Sequence, residues 1–228
     1  LNSQHTQVII DEDDIKQSLH DVVYALETFD ITTIRASIPM YLLSRYISKH
    51  TDVRVIFSGE GSDELFGGYL YFHDAPHEYA FQKETIRLCR ELYKYDVLRG
   101  DRTTARFGLE LRVPFLDLTF SQFVLQLDPS WKFGTYRIEK EILRQAFQGY
   151  LPKSILDRQK EAFSDGVGTQ SVACLKHITQ NNEKEYYRKQ YALHYARVSH
   201  IDALWMPQWN EDVDDPSARA LKHHHEHK

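Results

Sequence analysis

Cysteine is scarce in this chain: Cys89 and Cys174 are the only two in 228 residues. Neither has a partner at metal-ligand spacing. The sequence therefore offers no disulfide framework, and both thiols, each inside a predicted helix, read as free in a reducing compartment. Long apolar runs are also missing. No stretch approaches the roughly 18 consecutive apolar residues of a bilayer-spanning helix, and no basic segment followed by an apolar one opens the chain. A cytoplasmic location without membrane contact is expected. Nor is there an excess of positive charge: 28 Lys and Arg against 33 Asp and Glu leave a net charge of -5, which gives no reason to expect nucleic-acid binding. No internal repeat is present. The first residue is Leu1 instead of methionine, and the chain almost at once enters Val8-Ile9-Ile10, which reads as a strand lacking its earlier neighbours. A piece truncated at its N-terminal side is the expectation.

The composition itself is that of a globular protein, 42% hydrophobic and 27% charged, in a chain long enough for one domain with a sizeable core. Fourteen Tyr and twelve Phe add core volume with polar handles. Asp11 is placed to cap a helix whose apolar residues Ile15, Leu19, Val22, Val23 and Leu26 recur every three or four positions. The segment from Phe29 to Ala36 breaks that pattern, and Ser37 with Pro39 is expected to start a second helix running to about His50. A buried strand over Val53 to Phe57 follows. The order strand, helix, helix, strand predicts an α/β fold with parallel strands joined by a helical crossover. Beyond Tyr69 strand signals nearly vanish. Helices are predicted over Glu78 to Leu98, Asp101 to Phe107 with a stop at Gly108, Phe120 to Leu127 and Glu139 to Phe147, with an extended turn around Pro114 and a short helix at Leu151-Pro152.

Ser58-Gly59-Glu60-Gly61-Ser62-Asp63 is the stretch around which the rest is arranged. It turns an apolar strand into a small, flexible, acidic loop just before the helix start Asp63-Glu64-Leu65-Phe66. Open α/β sheets bind ligands at such junctions, because strand C-termini and helix N-termini face one crevice. Gly59 and Gly61 permit close approach to the backbone. Amide donors suit phosphate oxygens, whereas Glu60, Asp63 and Glu64 would repel them without an intervening cation, so the loop points to a metal-bound nucleotide. An acidic helix cap after an ordinary strand remains the alternative. Arg158 to Gly168 is a second polar, glycine-bearing loop with a functional composition.

Four segments taken together, SGEGSDELFGGYLYFHDAP (Ser58 to Pro76), ETFDITTIRAS (Glu27 to Ser37), YDVLRGDRTTARFGLELRVPFLD (Tyr95 to Asp117) and RQKEAFSDGVG (Arg158 to Gly168), resemble the synthetase domain of the glutamine-hydrolysing asparagine synthetase family. The resemblance runs over nearly the whole of 1–228, including Asp215-Pro216-Ser217-Ala218-Arg219. It implies a partial synthetase domain over 1–228; separately, the charged, histidine-rich end over 220–228 is expected from its composition to be a disordered tail. The implied fold is a parallel sheet of the ATP-pyrophosphatase (adenine nucleotide alpha hydrolase-like) kind, incomplete at its N-terminal side, with a largely helical second half. The implied chemistry joins ATP and Mg2+ to aspartate, giving β-aspartyl-AMP and pyrophosphate, after which ammonia derived from glutamine displaces AMP.

Residue by residue, the resemblance gives Ser58, Gly59 and Gly61 to the nucleotide and Glu60 to proton removal from attacking ammonia, where a nearby carboxylate helps as base and as counter-charge. Asp63 would neighbour magnesium and pyrophosphate. Asp96 would be a second metal-side carboxylate, or else a structural partner of Arg99; both fall in the substrate-binding set. Lys160 would hold the departing pyrophosphate. Thr33 and Arg35 would recognise aspartate, Arg35 through its α-carboxylate, unless that arginine only pins a helix start.

Two parts of the family pattern are missing from these residues. Neither the glutaminase domain with its cysteine nucleophile nor the Ser-Gly-Gly-x-Asp-Ser loop that cradles pyrophosphate lies within these 228 residues. The 228 residues alone are expected to be inactive, and the full-length protein is expected to form a homodimer. The competing expectations are a truncated, inactive paralogue that acts by binding partners, and a β-lactam-synthetase-like enzyme that adenylates another acid.

Overall fold

The computed structural model of the chain describes residues 3–133, 138–160, 163, 169–195 and 205–209. Helix α1, Glu12–Leu26, starts where Asp11 closes a capping box. The Asp11 side chain accepts from Asp14 N at 2.8 Å, while Asp14 accepts back from Asp11 N at 3.4 Å. Its predicted apolar face is buried throughout.

Helix α2, Ile31–His50, starts six residues earlier than the sequence predicts. Asp30 is its cap, with Thr33 N donating to Oδ2 at 2.7 Å, and Pro39 lies inside the helix. The β-branched run Ile31-Thr32-Thr33-Ile34 disfavours helix locally. Tertiary burial outweighs that preference, because Thr33, Ile34, Arg35, Ala36, Ser37 and Ile38 are all buried. A helix enclosed on several sides shows little of the one-sided periodicity that reveals a surface helix.

Strand β1 is Val55–Phe57, and it pairs in parallel with β2, Glu110–Arg112, placing Ile56 opposite Leu111. Two of the predictions fail here. Val8–Ile10 is not a strand, and Ile9 is 83% exposed. The parallel partner of β1 is instead β2, whose last residue, Arg112, begins the segment read as an extended turn. β1 is also not buried: Phe57 is 75% exposed, because among the described residues the sheet has only these two strands and its flank is uncovered.

The crossover between the strands contains α3, Ser62–Phe66, α4, Glu78–Glu91, and α5, Asp96–Ala105. A 3-10 turn over Leu92–Lys94 divides α4 from α5 where one long helix was expected. α5 lies close on the sheet because Gly100 has no side chain; a Cβ there would come within 2.7 Å of Leu111. The remaining helices are α6, Leu118–Gln126, α7, Glu141–Ala146, α8, Lys153–Leu156, α9, Thr169–Ile178, and α10, Glu183–Ala192. Both cysteines are in helices, as free thiols. No described helix is long and apolar enough to cross a membrane.

The largest core cluster packs α1 and α2 against α9 and α10, through residues such as Leu19, Val22, Ile34, Leu175 and Tyr187. A second, aromatic cluster holds Tyr71, Phe72, Phe81 and Trp205, and a third joins Leu65 and Phe66 to Val124. Beside them lies an unusual lysine. Lys132 is fully buried, and its Nζ donates to Gln82 Oε1 at 2.9 Å and Val124 O at 3.2 Å, with no ion pair among the described residues. Burial pushes its pKa down to about 8. An unfolded lysine titrates near about 10.4, so between these values the unfolded chain binds more protons and stability rises with pH. Urea midpoints measured at pH 7.5 and 9.5 are expected to show that rise in the wild type and to lose it in Lys132→Met. The same rise in both proteins would remove Lys132 as its source.

Candidate active site

The C-terminal end of β1 opens into a cavity of about 430 Å³. Met40, Leu43 and Ile47 of α2 with Ile56 and Leu111 of the sheet give it an apolar wall, while Ser58, Gly59, Glu60, Asp63, Asp96, Arg99 and Lys160 form a polar end. Aromatic Tyr69, Tyr71 and Trp205 close another side. The loop after β1 is fixed by Ser58 N, which donates to Arg112 O at 2.9 Å and so continues the ladder. Gly59 faces open space, with nothing near the position of a Cβ. Gly61 does not line the cavity. It caps α3 at φ +90° and packs on Leu116, where a Cβ would come within 2.2 Å.

Asp63 is held between two ammonium groups. Lys140 Nζ reaches its Oδ1 and Lys160 Nζ its Oδ2, each at 2.7 Å. Burial by itself would raise the carboxyl's pKa, but the two lysines hold it far below the ordinary range. Lys160 is in turn raised, its burial outweighed by Asp63. Gly68 makes room for this carboxylate, since a Cβ there would lie 2.0 Å from Asp63 Oδ1.

Arg99 bridges the other pair, donating from Nη2 to Glu60 Oε2 at 2.8 Å and to Asp96 Oδ1 at 2.6 Å. Its Nε is buried without a hydrogen-bond partner. Burial pushes Glu60 upward against the pull of Arg99, with Asp96 and Asp63 adding to the rise. The Tyr69 hydroxyl donates to Glu64 Oε1 at 2.5 Å and lies 3.3 Å from Asp96 Oδ2. Glu64 is pushed well up by burial and then by the charges of Asp96 and Asp63.

The cavity thus brings together Thr33, Ser58, Gly59, Glu60, Asp63, Asp96, Arg99 and Lys160. Arg35 is not among its lining residues. The Arg35 guanidinium turns away to Glu183 of α10, with Nε donating at 3.0 Å, and Tyr187 donates to the same carboxylate at 2.8 Å. Buried among neighbours that include its own counter-ion, Arg35 ties α2 to α10. Thr32 and Thr33 do line the cavity, and their hydroxyls are buried without partners. Such orphaned hydroxyls call for a polar ligand.

A metal ion does not fit on Asp63 or Asp96 as arranged. Both Asp63 oxygens bind ammonium groups, and Asp96 Oδ1 accepts from Arg99 while its Oδ2 faces the Tyr69 hydroxyl at 3.3 Å. Among the described residues no group of three or more His, Cys, Asp or Glu is placed to hold one.

Sequence reasoning missed Lys140, which lies inside a stretch read as plain helix. The chain turns there with φ 60°, one residue before α7. It also missed Tyr69, whose hydroxyl reaches Asp96 only through tertiary folding. Of the loop from Arg158 to Gly168, only 158–160 and 163 are described, with Phe163 at the cavity and 5.9 Å from the Arg99 guanidinium. The rest of that loop, Asp215 to Arg219 and the tail over 220–228 lie outside the described residues.

The family described as asparagine synthase matches this chain over residues 1–86 and 74–218. Among curated relatives, the asparagine synthetase (glutamine-hydrolyzing) of Rattus norvegicus is 45% identical over 251 aligned positions, that of Homo sapiens 44%, and that of Gallus gallus 46%. Each alignment takes in 98% of this chain and 45% of the relative. The chain therefore spans about half the length of the curated relatives it matches.

Proposed function

The chain belongs to the asparagine synthase family, and on that premise we propose that it supplies the ATP- and aspartate-handling part of a glutamine-dependent asparagine synthetase. The observation that carries this reading is the pair Lys140 and Lys160 converging on Asp63 beside Glu60, at the mouth of the loop from Ser58 to Asp63. In a cavity with an apolar wall, two ammonium groups suit the phosphates of ATP, and the wall suits a planar base. Aspartate would lie toward the unpartnered hydroxyls of Thr32 and Thr33, its side-chain carboxylate attacking the α-phosphorus. Pyrophosphate would leave toward the two lysines, which stabilise the charge that builds on it. Ammonia would then displace AMP, giving its proton to Glu60, a carboxyl held up toward the useful range of a general base.

The same reading extends to the fold and the surroundings. A ligand-bearing loop after a strand in a parallel pair fits the ATP-pyrophosphatase type of sheet, with 1–228 a part of that domain. Magnesium is proposed as the counter-ion of the nucleotide, not as a ligand of Asp63 or Asp96. Ammonia would come from glutamine hydrolysed by a separate glutaminase domain, in a cytoplasmic homodimer.

The test is product analysis in a protein that carries these residues within a complete synthetase domain. Aspartate-dependent cleavage of ATP to AMP and pyrophosphate is expected, and the 228 residues alone are expected to show none. Formation of ADP, or equal turnover without aspartate, would sink the adenylation mechanism.

A further inference from the structure

The stretch Phe29-Asp30-Ile31-Thr32-Thr33 carries a buried carboxylate that the proposed chemistry leaves unused. Asp30 is 2% exposed, and no lysine or arginine pairs with it among the described residues. Its two oxygens are divided between two walls of the cavity. Oδ2 accepts from Thr33 N at 2.7 Å, in the first turn of α2, and Oδ1 accepts from Trp205 N at 2.8 Å, 175 residues further along the chain. Trp205 is itself buried, with its ring 5.8 Å from that of Tyr69 and 6.0 Å from that of Tyr71. Trp205 and Pro207 line the cavity together with Thr32 and Thr33.

A helix cap needs only the bond to Thr33, which a serine would make as well. Capping alone does not account for the second oxygen, and an unpaired carboxylate is expensive to bury unless amides satisfy it. We propose that Asp30 is a positioning residue that clasps the Trp205 to Pro207 segment onto the first turn of α2, fixing the wall that presents Thr32 and Thr33 to an amino-acid substrate. The identity of the substrate rests on the function proposed above; the clasp itself does not. Because one rigid carboxyl group accepts both amides, the two walls cannot separate without breaking a buried hydrogen bond.

Asp30→Ser separates clasp from cap, since serine caps a helix but is too short to reach Trp205. In the 228-residue chain, amide exchange at Trp205 is expected to accelerate about 10- to 100-fold, the loss of one hydrogen bond to a charged group, while the first turn of α2 keeps its protection. Unchanged exchange at Trp205 overturns the clasp. If Asp30→Ser does not fold, Asp30→Asn serves, because its single accepting oxygen must release one of the two amides; protection retained at both overturns the clasp equally. L-aspartate titrated in the presence of Mg-ATP is expected to bind about ten-fold more weakly to the serine variant, and equal affinity overturns the claim that the clasp positions the wall. If Thr33→Val binds L-aspartate as the wild type does, or the wild type does not bind it, the proposed substrate fails while the exchange result still decides the clasp.

Discussion

Replacing Lys160 by alanine, in a protein with the complete synthetase domain, is expected to slow acyl-adenylate formation by about 100- to 1,000-fold, or about 3 to 4 kcal/mol of transition-state stabilisation. The Lys160 side chain is only 17% exposed and its ammonium is fixed on Asp63, so on the proposed function it would meet departing charge already oriented and already desolvated. A solvated surface lysine would lose only a few tenths of a kcal/mol of stability on truncation and nothing in rate. The fold has a safeguard that makes the experiment readable, because Asp63 keeps Lys140 as a partner when Lys160 is removed. Lys160→Arg is expected not to restore the rate, since a wider planar guanidinium places its charge elsewhere. Single-turnover measurement of the adenylate decides the matter: near wild-type rates in Lys160→Ala would remove that lysine from the site.

Glu60→Gln is expected to spare adenylate formation and to slow amide formation by about 100- to 10,000-fold, the usual contribution of a general acid or base. The substitution keeps the shape and one accepting oxygen for Arg99 but cannot take a proton. Arg99 remains paired with Asp96, so the local charge arrangement survives in part. Quenched-flow separation of the two steps checks the assignment. Equal loss in both would mean that Glu60 shapes the site instead of serving the ammonia step. The pH dependence follows from direction: burial raises Glu60 above an ordinary glutamate, so the amide-forming step is expected to fall on acidification at a higher pH than about 4.3, the value for an unperturbed glutamate.

Much of the scaffold was legible where local signals and burial agree. α1 has a cap, a one-sided apolar stripe and a clean end, and its boundaries follow from them. The stop at Gly108 was legible for a similar reason, since its φ of +69° suits a residue without a side chain. Where tertiary contacts override propensity, the sequence misleads. The β-branched start of α2 looks like a break because the partners that bury it, Glu183 and Tyr187 among them, lie near the other end of the chain. β2 is three residues long and carries charge at both ends, so no alternation could announce it. In the cavity, the glycine-rich loop was readable from composition, and the motifs carried Asp96, Arg99 and Lys160. Lys140 had no such marker, and its place beside Asp63 arises from the turn before α7. Arg35 shows the opposite limit: an arginine in a recognised motif need not face the ligand, because its direction is set by which helix supplies a carboxylate.

On the proposed function, Asp63 is a placeholder. In the resting cavity it fills the spot between Lys140 and Lys160 where an incoming anion would settle. Ammonium groups that already have a partner do not draw in ions indiscriminately. Chloride, with one charge and no directional lone pairs matched to two donors, gains little by contesting a carboxylate that engages both. A polyphosphate has enough oxygens to engage the lysines while Asp63 moves or shares them. Anion entry is then a substitution, with little change in the number of unpaired cations, and it is less sensitive to ionic strength than binding at bare surface lysines. On the proposed function, the site would discriminate among the anions of its surroundings by valence and reach before any chemistry begins.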